Sequence, residues 1–183
     1  MVKSRNSDFD GLLSGMCGDF SRIPRTNGRK PFIGIIGEIF VRHNAFANED
    51  IIRKIEALGG EVWLAPVEEW LYYVNSMALR KALIKWRNSF FSKGPLNDII
   101  KIIITRLAQK NIEHKFSVPF RGFLKTLEEP STNEIIKNAS RYLHKSFEGE
   151  AILSIGKTID FVKKGSSGII NVMPFGCMPG TIV

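Results

Sequence analysis

Cysteine is scarce in this sequence: Cys17 and Cys177 are the only two. They give no disulfide framework, and no CxxC pair marks a local metal or redox site. No run of about 18 apolar residues is present, so nothing reads as a membrane span, and the N-terminus is too polar for a signal peptide. A cytoplasmic protein with no membrane partner is the expectation. No GxGxxG turn follows the first strand, and no GxxxxGKS or GxxxxGKT occurs, which argues against a dinucleotide fingerprint and a P-loop. RNP, KH and zinc-finger patterns are missing too, so nucleic acid is not an expected partner. Ser146 lacks the GxSxG setting of a hydrolase nucleophile.

What is present fits an α/β chain. Its 183 residues can bury a real core. Residues 1–30 read as a loop or weakly helical lead-in, and residues 31–183 as the α/β domain, interrupted by a helical insertion over about 67–128. Phe32-Ile33-Gly34-Ile35-Ile36 is a continuous apolar run, as expected of a strand buried on both faces. Val41 to Ala47 reads as a loop, and Asn48 as the cap of a helix carrying Ile51, Ile52, Ile55 and Leu58. Glu61 to Ala65 is a second strand. Pro130 to Glu134 signals a helix start, followed by Ile135, Ile136, Ala139 and Leu143. Ala151 to Lys164 is a further helix, with Ile152, Ile155, Ile159 and Val162 expected inward. Gly168 to Met173 is the third strand, ended by Pro174. The expected fold is a Rossmann-like parallel sheet of order 2-1-3, the uniformly apolar first strand in the middle.

The formal net charge is +8. Between Leu79 and Phe116 nine Lys and Arg face two acids, so the charge belongs to the insertion. That segment is also aromatic-rich, with Trp70, Tyr72, Tyr73, Trp86, Phe90 and Phe91 in and just before it. Its basic face is expected to attract an acidic partner surface or CoA phosphates.

Candidate site residues gather where the first and last strands end. Glu38 and Arg42 follow the first strand; they read either as ligand contacts or as a local ion pair or helix cap. Glu148 and Glu150 read either as proton-transfer or docking groups or as first-turn carboxylates facing a helix dipole. His43 is expected to face solvent. Cys177 lies in the turn after the third strand, at the sheet edge where α/β proteins bind ligands. It reads either as a ligand-facing thiol or as a structural turn residue, with Thr181 expected to cap the following helix.

Three stretches carry a resemblance: GEIFVRHNAFANEDIIRKIEALGGEVWLAP, SRYLHKSFEGEAILSIGK and GIINVMPFGCMPGTIV. Over roughly residues 23–183 the chain resembles the iron–sulfur proteins related to 2-hydroxyacyl-CoA dehydratases and their activators. The resemblance implies a [4Fe-4S] cluster between Rossmann-like domains and an acyl-CoA substrate. It also implies ATP-driven electron transfer, with ATP bound by an activator-type ATPase partner or by an ATPase domain outside this chain. It makes Cys177 a cluster ligand, Arg42 a substrate contact, and Glu38, Glu148 and Glu150 candidate catalytic groups. A cubane takes about four thiolates, so the remaining ligands would come from the remainder of the polypeptide or a second subunit. Against a full member the chain reads as a fragment. The alternative is a non-catalytic scaffold that docks a partner ATPase or subunit.

Overall fold

The computed structural model describes residues 3–24, 28–89, 93–122, 124 and 129–183. It is a mixed α/β structure with a helical majority and one three-stranded parallel sheet. The chain divides into two compact units, one of residues 28–74 and 130–183, the other of residues 1–27 and 75–129. Helix α4 (Glu68–Asn88) runs from the first into the second.

The first unit holds the sheet. Strand β1 (Phe32–Gly37) lies between β2 (Glu61–Leu64) and β3 (Gly168–Val172), parallel to both. The expected order and central strand are therefore observed. Phe32 is in register with Glu61, and Gly37 with Val172. Alternation along β1 sends Phe32, Gly34 and Ile36 to one face. There Phe161 of α7 (Glu150–Lys163) packs with Ile36 and Ala65, and its ring meets Phe32 edge-on at 5.5 Å. Gly34 is required at this crossing, because a Cβ would run into the Phe161 ring. Ile33 points to the opposite face, toward Ile55 of α3 (Ile51–Ala57). Burial of β1 from both sides explains why its sequence is apolar without alternation.

Helix α6 (Thr132–Ala139) starts where expected. Ser131 accepts a hydrogen bond from the Glu134 N–H, and Ile135 and Ala139 are fully buried against α7. The inward face of α7 differs from expectation. Ile152 is buried, but Val162 is exposed, and Lys157 and Asp160 lie inside. Helix α7 is covered on two sides, by β1 and by α6, so its buried face is wider than a single apolar stripe.

Two further expectations are corrected at the start of this unit. Residues 41–47 are not all loop, because α2 (Ile39–His43) occupies the first part. Asn48 does not start α3 directly. Glu49 and Asp50 adopt left-handed φ values of 55° and 57°, and the helix begins after them. The Asn48 side chain serves both helices: its amide donates to the Val41 and Arg42 carbonyls, closing the end of α2, and its Oδ1 accepts from the N–H of Ile51, the first residue of α3, at 3.4 Å.

The second unit is helical. Helix α1 (Lys3–Arg22) replaces the expected loop or weak helix. Tertiary contacts stabilise it: Leu13 is buried, and the Phe9 ring meets Phe116 edge-on. The sequence reads Asn97 as the cap of a helix running to about Lys110; helix α5 (Lys93–Ser117) instead takes Pro95 into its first turn, holds Asn97 inside it and runs on to Ser117. Phe90 and Phe91 lie outside the described residues. Among the described residues no helix is long and apolar enough to cross a membrane.

Candidate functional site at the carboxyl edge of the sheet

The carboxyl ends of β1 and β3 lie together, since the Glu38 N–H donates to the Val172 carbonyl at 2.9 Å. Everything that follows either strand starts from this edge. Glu38 is the cap of α2: its two carboxylate oxygens accept from the Phe40 and Val41 N–H groups at 3.0 and 2.7 Å. The cap reading of Glu38 is thus the one realised. The Glu150 carboxylate, from the first residue of α7, interacts with the Ile39 N–H. The Glu38 carboxylate therefore occupies two of the free N–H groups at the start of α2, where an external anion would otherwise bind.

Arg42 is buried. Its Nη1 donates to the Gly37 carbonyl at 3.1 Å and Nη2 to the Pro66 carbonyl at 3.2 Å. It thereby ties the end of β1 to the segment after β2. Its Nε has no hydrogen-bond partner among the described residues. Burial lowers the Arg42 pKa, opposed by the charges of Glu69, Glu150, Glu38 and Glu68. A guanidinium stays charged nonetheless, so the acids around it offset the cost of burying it.

Beside Arg42 lies a crevice also lined by Glu69, Trp70, Glu150, Ser154 and Lys157. Its cavity volume of about 10 Å³ is room for about one water. A CoA phosphate could reach Arg42 only if these side chains moved. Tyr73 closes the neighbouring turn by accepting the Gly149 N–H at 2.9 Å. Lys157, almost fully buried, pairs with Asp160 at 3.1 Å, and Asp160 also receives Lys164 at 3.0 Å. Sequence reasoning passed over Lys157 and Asp160. Their spacing from Ile152 and Phe161, on the face turned to the sheet, was the available signal.

The other candidates disperse. Glu148 is exposed. His144 and Ser146 are exposed and bonded to each other at 2.8 Å. His43 faces solvent, its Nδ1 on the Ile39 carbonyl. Cys177 follows β3 at the same edge of the sheet as Glu38, half-buried and free. It is the N-cap residue of α8 (Met178–Ile182), and its carbonyl accepts from the Gly180 and Thr181 N–H groups. The cap is thus Cys177 and not Thr181, which sits inside the helix. Cys17 belongs to the helical unit, its thiol 3.3 Å from the Pro119 carbonyl. Among the described residues no group of three or more His, Cys, Asp or Glu could hold a metal ion. The donor set of this chain does not fit a thiolate-held cluster, which takes about four ligands.

Comparison with protein-family models, curated proteins and solved structures finds no match to this chain. The site is therefore interpreted from its chemistry.

Glu150 is the group here whose protonation responds to folding. Burial raises its pKa and Glu38 adds to the rise, while the Ile39 N–H and Arg42 oppose it. A raised carboxyl favours the protonated form in the folded state. The stability it contributes is fully present below the unfolded pKa and is lost as pH rises through the folded value. Urea midpoints of the native protein minus those of Glu150→Gln should therefore fall as pH rises from the ordinary glutamate range. A difference that stays constant with pH would disprove this assignment.

Proposed function

We propose that this chain is a Rossmann-like scaffold, non-catalytic by itself, within an iron–sulfur system of the 2-hydroxyacyl-CoA dehydratase and activator type. The observation carrying this reading is the carboxyl edge of the sheet. Two N–H groups at the start of α2 are taken by Glu38, and two Arg42 donors are taken by backbone carbonyls. An edge closed by its own side chains suits a rigid platform on which an activator-type ATPase or second subunit docks. ATP and the acyl-CoA would then be bound outside this chain.

One observation favours a second reading. Cys177 is free and half-buried on that same edge. It would give a single thiolate to a [4Fe-4S] cluster whose other ligands come from another chain or segment. Arg42 would then hold the acyl-CoA, and Glu38, Glu148 or Glu150 would be the candidates for proton transfer.

Anaerobic incubation with ferrous iron and sulfide of the complex between the chain and the polypeptide that supplies the other thiolates separates the two. The scaffold reading expects the same iron content with the native chain and with Cys177→Ser. A brown, iron-bearing protein that loses its iron in Cys177→Ser, with the far-ultraviolet spectrum unchanged, would overturn it in favour of the second.

A further inference from the structure

We propose that the outer face of α5 is a docking groove for an acidic amphipathic helix of a partner protein. Leu96, Ile100, Ile103, Ile104 and Leu107 recur at spacings of three and four residues and so form one stripe along the helix. All five are exposed, Ile104 and Leu107 to 60% and 59%, and no described residue covers them. A different face, with Pro95, Ile99 and Ile102, turns inward. Helix α5 thus has two apolar faces, and only one is used. A helix apolar on two sides belongs in the interior of a bundle.

Charge identifies the occupant. The helical unit contains fifteen Lys and Arg against seven Asp and Glu, whereas the sheet unit has eleven of each. The whole net charge of +8 therefore resides in the unit that carries the stripe. The basic side chains of α5 do not form the single face expected from sequence. At about 100° per residue they are spread round the helix, and Lys110 and Lys115 rim the stripe on opposite sides. Asp98 and Glu113 fall on the half turned away from it. A partner with an apolar stripe and acidic flanks is complementary to this pattern. A second copy would bring its own +8 and be repelled. A lipid surface suits a helix with one apolar and one strongly polar face, which α5 is not.

The stripe lies wholly in the helical unit, so its occupancy is separable from the chemistry of the sheet edge. The test uses the full chain and two synthetic helical peptides with the same leucine stripe, one flanked by Glu and one by Lys. Fluorescence anisotropy should show binding of the Glu-flanked peptide, weakened by salt, and at least about tenfold weaker binding of the Lys-flanked one. Ile104→Glu and Leu107→Glu should each weaken the Glu-flanked peptide by about tenfold. Should either variant lose its helical circular dichroism, Lys110→Glu with Lys115→Glu replaces it, since these exposed residues leave the apolar contacts alone. Equal binding of the two peptides, or binding of neither, would overturn the proposal. So would self-association of the chain through this face in sedimentation, or binding to phosphatidylserine vesicles without binding to the acidic peptide.

Discussion

Asp160→Ala should cost more than the roughly 1 kcal/mol of an exposed ion pair, because it removes a largely buried carboxylate that the Lys157 and Lys164 ammonium groups share. Lys157 is 2% exposed, and Asp160 lies 3.1 Å from it. The Phe161 ring, 5.1 Å from the ammonium, offsets only part of the loss. Lys157→Met should be milder, since Asp160 retains Lys164 at 3.0 Å. Urea denaturation at neutral pH measures both. Losses for Asp160→Ala below about 1 kcal/mol, the range of exposed pairs, would mean that water reaches the pair and that the burial argument fails.

Gly156→Val should destabilise at the upper end of the roughly 1–3 kcal/mol that overpacking costs. Gly156 lies inside α7, where a Cβ would overlap the backbone carbonyl of Ile135 in α6 and its side chain. A side chain can turn away from such a clash, but a helix carbonyl cannot. Helices α6 and α7 would have to separate, opening the packing of Ile135 and Ala139, both at 0% exposure. Alanine makes the sharper comparison. Gly11 in α1 has nothing within 4 Å of its missing Cβ, so Gly11→Ala should stabilise by up to about 1 kcal/mol through helix propensity. Gly156→Ala should do the reverse. If both substitutions shift the thermal midpoint in the same direction, the close approach of α6 and α7 is wrong.

The sheet was legible in the sequence because burial on both faces writes itself into β1 as an unbroken apolar run, and β2 and β3 are flanked by Gly and Pro breaks. Strand order followed from that same run. The start of α6 was legible because the Ser131 hydroxyl satisfies the Glu134 N–H three residues on. Helix α2 was missed because five residues carry no period, and its stability comes from Glu38, from Glu150 far along the chain, and from Arg42. Helix α1 was underestimated for a related reason: Phe9 meets Phe116 and Cys17 meets Pro119, about a hundred positions away, which no local pattern contains.

Of the candidate site, the sequence by itself determined that Glu38 and Cys177 share one edge, because parallel strands bring their carboxyl ends together. It also determined that the positive charge concentrates in the segment around α5. Only the tertiary structure decided what those residues do. Arg42 is turned inward onto two carbonyls, Lys157 and Asp160 are buried on α7, and the α5 stripe is left exposed. Composition and periodicity report which face of a helix is apolar. Whether that face is covered, or whether a charge finds its partner inside, depends on segments brought together from distant parts of the chain.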